Sequence, residues 1–186
     1  MPFEFERSPL SGVIHIRPMR FADERGWFSE SYKHSDFVDV GIPEYFVQDN
    51  QSVSARSTLR GLHYQLPPYG QGKLVQVVAG RAWDVAVDIR RSSPAFGTHF
   101  GVELSAEQGN MLWIPPGFAH GFLALDDDTR LMYKCTAEYS SASERAIRWD
   151  DPELGIPWPA VGPDGAYLLS GKDAAAPGLA DAEVFS

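Results

Sequence analysis

Between residues 45 and 148 the chain consists almost wholly of short runs in which apolar and polar residues alternate, each run cut by residues that end a strand. The runs cover 45–54, 58–65, 73–79, 82–90, 98–104, 110–114, 119–125, 130–138 and 146–149. The breaks are Pro67-Pro68-Tyr69-Gly70, Ala79-Gly80, Ser92-Ser93-Pro94, Pro115-Pro116-Gly117 and Asp126-Asp127-Asp128. About nine or ten strands at this spacing predict a closed or two-sheet antiparallel architecture, whether barrel, sandwich or jelly roll. Ahead of them, 13–17 reads as a lead-in strand stopped by Pro18. A turn at Asp23-Glu24-Arg25-Gly26 then leads into a strand over 27–32. One or two helical turns are expected over 34–40, ended by Gly41 and Pro43. From 150 onward the composition shifts to Pro, Gly, Asp and Ala, which predicts loop with short helical turns. No segment repeats.

At 186 residues and 44% apolar content, the chain suits one domain with a sizeable core, at most with a tail attached. A net charge of -9 argues against nucleic-acid binding, which relies on a basic surface to release counterions. An anionic small molecule would need a local cluster of cations, for which Arg25, Arg60, Lys73 and Lys172 are candidates. No apolar run is long enough to span a bilayer, and Met1-Pro2-Phe3-Glu4 lacks the basic and apolar regions of a secretion signal, so no membrane partner is expected. The single cysteine, Cys135, lies in an apolar run and rules out an internal disulfide; it suits a reducing cytoplasm and reads as a buried bystander.

Two neighbouring runs carry unusual side chains. Leu59-Arg60-Gly61-Leu62-His63-Tyr64-Gln65 places a guanidinium and an imidazole in a half-buried strand, and Lys73-Leu74-Val75-Gln76-Val77 opens on an ammonium. Such groups build a poor core but could hold an anionic substrate and move a proton on it. The plainer alternative is an edge strand with solvated Arg60 and Lys73 and a core histidine bonded to a backbone carbonyl.

Gly109-Asn110-Met111-Leu112-Trp113-Ile114-Pro115-Pro116-Gly117-Phe118-Ala119-His120 resembles the second motif of the cupins, in which Pro and Gly set a tight turn and deliver a histidine into the barrel. The first cupin motif supplies His-x-His and a Glu as metal ligands. Here its counterpart is His63-Tyr64-Gln65, with Lys73 close behind. Two histidines out of four ligands leave too little for Zn or Fe, so a metal-free cupin is expected. A metal held by His63, His120 and further carboxylates is the alternative.

A more specific resemblance is carried by Asp23-Glu24-Arg25-Gly26, Phe46-Val47-Gln48-Asp49-Asn50, Leu59-Arg60-Gly61-Leu62-His63, Gly72-Lys73-Leu74-Val75, Trp83-Asp84-Val85-Ala86-Val87-Asp88, Trp113 through Phe122, Tyr133-Lys134 and Lys172-Asp173-Ala174-Ala175-Ala176-Pro177. In this order, from about residue 13 to 178, they resemble the dTDP-4-dehydrorhamnose 3,5-epimerase family. The resemblance implies an all-β fold, a cupin-type jelly-roll barrel with short peripheral helices and a C-terminal loop or helical tail. It implies one domain over 1–186, in which 150–186 packs near the barrel mouth.

The family acts on a dTDP-linked 4-keto-6-deoxyhexose and inverts C3 and C5. Both carbons flank the C4 ketone, so loss of either proton gives an enolate with its charge on the C4 oxygen. That chemistry needs a base on one face, an acid on the other and a cation at the oxygen, with no cofactor. By resemblance His63 is the base, Asp173 its dyad partner, Tyr133 the acid and Lys73 the cation, with His120 near the sugar. Arg60 would hold pyrophosphate or sugar oxygens. Arg25, Glu30, Gln48, Asp49 and Asn50 correspond to nucleotide or sugar contacts, some reaching across from a second subunit in a homodimer with exchanged N-terminal strands. Tyr139 corresponds to an aromatic stacked on thymine, and Glu144 and Lys172 to further contacts. Arg60 and His63 are three apart, which in a regular strand puts them on opposite faces; a bulge or bend at Gly61 is therefore expected. The alternatives are an epimerase that inverts one carbon only, a related ketoisomerase, and a sugar-nucleotide-binding cupin without catalysis.

Overall fold

The computed structural model describes residues 2–162 and 165–186; Met1, Pro163 and Asp164, which fall inside the expected 1–186 unit, lie outside the described residues. In chain order the elements are β1 (Phe3–Arg7), β2 (Ile14–Pro18), β3 (Phe21–Asp23), β4 (Gly26–Phe28), α1 (His34–Asp39), β5 (Gln48–Ser54), β6 (Leu59–Gln65), β7 (Lys73–Ala79), β8 (Arg81–Asp88), β9 (His99–Ser105), β10 (Met111–Ile114), β11 (Phe118–Ala124), β12 (Thr129–Cys135), β13 (Glu144–Ala146) and α2 (Gly171–Ala174). Among the described residues no helix is long and apolar enough to cross a membrane.

Two antiparallel sheets form the jelly-roll barrel. One has strand order β1-β2-β10-β7-β12-β5, the other β13-β6-β11-β8-β9, and β3-β4 stands apart as a hairpin. The side chains that meet between the sheets include Val75 and Val77 of β7, Leu112 and Ile114 of β10, and Leu131 of β12, packed against Ala82, Ala86, Leu104, Phe118 and Phe122. Their neighbours in sequence point the other way. Leu74, Met111 and Trp113 pack outside the six-stranded sheet under Phe3, Ile16, Phe37 and Ile42. Leu62, Tyr64, Val85 and Val87 pack outside the five-stranded sheet under Ile147, Leu154, Leu179 and Ala182. Both sheets are thus covered on both faces over much of their area, the second by the tail.

The tail is fastened by polar groups as well. Tyr64 donates its hydroxyl to the Glu183 carbonyl at 2.6 Å, and burial pushes its phenol up to about 12. Asp151 accepts the N–H groups of Glu153, Leu154 and Leu179.

Several strand boundaries differ from the sequence reading. β1 was not expected, although Phe3-Glu4-Phe5-Glu6 alternates; it pairs with β2 along its full length. The strand over 27–32 stops at Phe28, because the β3-β4 hairpin has only three residues a side. Over 45–47 only the Val47 N–H joins the ladder, on the Cys135 carbonyl, before β5 begins. The last run pairs over Glu144–Ala146, with Ile147 still bonded to Leu62 of β6, rather than over 146–149, since the Arg148 N–H has already turned to Pro177.

At Gly61 the ladder carries the expected bulge. His63 pairs with His120 and Arg60 with Phe122, so three steps on β6 span two on β11. Gly61 has φ 139°, and a Cβ there would lie 2.5 Å from the Cα of Gly121. Two glycines facing each other give β6 room for its extra residue, so Arg60 and His63 both reach the space between the sheets.

Candidate active site

The two sheets enclose a cavity of about 380 Å3. His63 and Gln65 of β6 and His120 and Phe122 of β11 line one wall. The other wall holds Gln48, Asn50 and Ser52 of β5, Lys73 of β7 and Tyr133 of β12. Register explains the grouping. Cys135 lies directly opposite Lys73 and Tyr133 opposite Val75, so Lys73 and Tyr133 are diagonal neighbours on one face.

His63 Nε2 meets Asp173 Oδ1 at 2.5 Å. Asp173 sits in α2, a single helical turn capped by Ser170, which accepts the Asp173 N–H and donates its hydroxyl to Asp173 Oδ2 at 2.8 Å. Burial by itself would raise this carboxyl, but hydrogen bonds from His63, Ser170 and the Gly61 backbone prevail and hold it below its ordinary range. A carboxylate so held fixes the imidazole tautomer: Nε2 carries the proton and Nδ1 is left as the acceptor.

Across the cavity, Tyr133 has no hydroxyl partner among the described residues, and burial raises its phenol, so it stays protonated. Lys73 is buried and donates to the His63 carbonyl at 3.3 Å. Burial pushes its ammonium down, against the opposing influence of Cys135, Asp84 and Glu144. His120 Nε2 bonds Asp84 Oδ2 at 2.9 Å, and the other oxygen of this fully buried carboxylate has no partner among the described residues. Arg60 donates to Ser54 Oγ and the Val53 carbonyl. The site therefore sets an imidazole on one wall against a phenol on the other, with a buried lysine on the phenol's side; proton abstraction beside a carbonyl calls for groups of these kinds.

The family model for dTDP-4-dehydrorhamnose 3,5-epimerase matches residues 7–181. The chain belongs to this family. The dTDP-4-dehydrorhamnose 3,5-epimerase of Shigella flexneri is 49% identical over 180 residues, spanning 96% of this chain and 97% of its own. The crystal structure of dTDP-6-deoxy-D-glucose-3,5-epimerase RmlC from Legionella pneumophila, in complex with dTDP-4-keto-L-rhamnose, has a TM-score of 0.92 at 45% identity and covers 97% of this chain and 95% of that one. ChmJ, a 3'-monoepimerase from Streptomyces bikiniensis solved with dTDP-quinovose, has a TM-score of 0.86 at 37% identity, with 94% and 88% covered. The barrel is of the cupin type shared by these epimerases.

Against the epimerase resemblance, the structure gathers His63, Lys73, Tyr133, Arg60, His120, Gln48, Asn50, Tyr139 and Glu144 around one cavity, with Asp173 behind His63. Lys172 sits at the rim, 2.5 Å from Glu144. Asp49 does not line its own chain's cavity: Gln48, Asp49 and Asn50 are consecutive in a strand, so the middle one faces away from it and pairs with Lys134 at 3.0 Å. Arg25 and Glu30 do not reach their own chain's cavity. Arg25 is exposed at the β3-β4 turn and bonded to Asp23, and Glu30 follows that hairpin. Sequence reading missed Gln65, Gln71, Ser52 and Phe122, which also line the cavity. Alternation along β5 and β11 would have found Ser52, two beyond Asn50, and Phe122, two beyond His120.

Proposed function

We propose that this chain inverts C3 and C5 of dTDP-4-dehydro-6-deoxy-D-glucose to give dTDP-4-dehydro-L-rhamnose, without a metal or redox cofactor. The observation that carries the reading is the His63–Asp173 pair facing Tyr133 across the cavity, with Lys73 beside Tyr133. His63 Nδ1 takes the proton from C3, the C–H pair moves into the ring, and the charge comes to rest on the C4 oxygen. Lys73 stabilises that oxygen, with His120 beside the sugar. Tyr133 delivers a proton to the opposite face of the carbon and recovers one from solvent, His63 gives its proton up to solvent, and the same cycle then runs at C5. Asp173 keeps the His63 tautomer fixed and stabilises the imidazolium.

In this reading Arg60 and Asn50 contact the sugar nucleotide, Tyr139 stacks on thymine, and Glu144 and Lys172 border the nucleotide end. The chain works as a homodimer with exchanged N-terminal strands, in which Arg25 and Glu30 of one subunit enter the site of the other. Three features support the exchange. β5 is an unpaired edge of its sheet, the β3-β4 hairpin has no neighbouring sheet among the described residues, and that hairpin carries Trp27 and Phe28 at 59% and 66% exposure. The buried, unpaired Cys135 suits a reducing compartment.

The test is to supply dTDP-4-dehydro-6-deoxy-D-glucose together with a 4-ketoreductase and determine the configuration of the trapped sugar. An L-rhamno product is expected. A product inverted at one carbon would mean a mono-epimerase like ChmJ, and an uninverted one would overturn the reading.

A further inference from the structure

Gln65 closes β6, is 3% exposed, and uses both ends of its carboxamide. Nε2 donates to the carbonyls of Tyr69 at 2.7 Å and Glu138 at 3.2 Å, and Oε1 accepts the Ser140 N–H at 2.7 Å. Two further glutamines of the cavity do the same work nearby. Gln48 Oε1 accepts the Tyr139 N–H and Gln71 Nε2 donates to the Ala137 carbonyl, each at 2.8 Å. Four successive residues outside any strand, 137–140, are therefore held by glutamine side chains in place of a ladder partner. A loop of this kind would otherwise turn its backbone to water and open readily. From this fastened segment the Tyr139 ring projects at 56% exposure, its hydroxyl on Glu144 at 2.9 Å.

We propose that Gln65 is a positioning residue for the nucleotide end of the substrate. By gripping the residues on either side of Tyr139, it holds the ring in its stacking orientation before ligand arrives, so less ordering is left for the binding step. The inference rests on the reading of Tyr139 as the thymine-stacking side chain. The chemistry selects this residue type: a carboxamide offers two donors and an acceptor from one planar group, whereas a carboxylate offers no donor and would set its charge against two carbonyl oxygens. At the position where the cupin pattern carries its second histidine, this chain has a loop fastening.

The experiment is calorimetric titration with dTDP of the wild type, Tyr139→Ala, Gln65→Ala, Gln65→Glu and the double variant Gln65→Ala/Tyr139→Ala. Hydrogen exchange at the Ser140 amide is followed in the wild type. Tyr139→Ala and both Gln65 variants should each weaken dTDP binding about tenfold, the size of one lost base stack. The double variant should bind no more weakly than Tyr139→Ala, KM should rise by more than kcat falls, and the Ser140 amide should be protected. Wild-type affinity in Gln65→Ala beside a weakened Tyr139→Ala would overturn the inference, as would losses that multiply in the double variant. Rapid exchange at Ser140 would overturn it even if the variants failed to fold. An unaffected Tyr139→Ala would instead sink the stacking role itself, and the inference with it.

Discussion

His63 and Asp173, 110 residues apart in the chain, share a 2.5 Å hydrogen bond at the edge of the cavity. The tail thus completes the site as well as covering the outer face of the five-stranded sheet. Asp173→Asn should lower kcat by about 10²–10⁴, because an amide facing Nε2 no longer fixes the tautomer. The bond also has a pH signature. The folded-state pKa of Asp173 lies below its unfolded value, so its stabilisation is present above about pH 4 and is lost as pH falls through the depressed folded value. Urea midpoints of wild type and Asp173→Asn should differ at pH 7 and converge as pH falls through the depressed folded value.

Gly61→Ala should destabilise the fold by about 3 kcal/mol, since the new methyl would meet the Gly121 backbone at a φ that side chains rarely adopt. Activity should fall with it, because the bulge turns Arg60 and His63 to one side. Urea melts and kcat measured on the same preparation check both effects.

Lys73→Met should separate stability from function. The ammonium is buried with one long hydrogen bond, so an apolar replacement of similar length should raise stability by about 1–2 kcal/mol. The cation at the enolate oxygen is lost, and kcat should drop by about 10²–10³. A variant that is both more stable and active would remove Lys73 from the mechanism.

Arg25 tests the exchanged dimer. Arg25→Ala and His63→Ala should each be inactive alone. Mixed and refolded together, they should recover about one quarter of wild-type activity, because half the dimers are hybrid and half of each hybrid's sites are intact. No recovery, alongside a dimer by light scattering, would mean that Arg25 acts within its own chain or not at all.

Strand succession, the turn motifs and the Gly61 bulge were legible because each is a local consequence of alternation, Pro/Gly chemistry or a three-residue spacing. The family resemblance over 13–178 agrees with the match over 7–181. One difference is β1, which lay outside the sequence reading although its alternation is plain. The glutamine fastening of 137–140 was not readable at all. Gln65 and Glu138 are 73 positions apart, and nothing in the local sequence shows that a carboxamide will bond a distant backbone.

The central claim is proton transfer at both C3 and C5 through one enolate, and it is tested most directly by deuterium exchange followed by NMR. Wild type, His63→Ala and Tyr133→Phe would be incubated with dTDP-4-dehydro-6-deoxy-D-glucose in D2O, with chelator present. The wild type should place deuterium at both carbons with inversion, His63→Ala should place none, and Tyr133→Phe should exchange without inverting. Label at a single carbon in the wild type, or no label while dTDP still binds, would contradict the account.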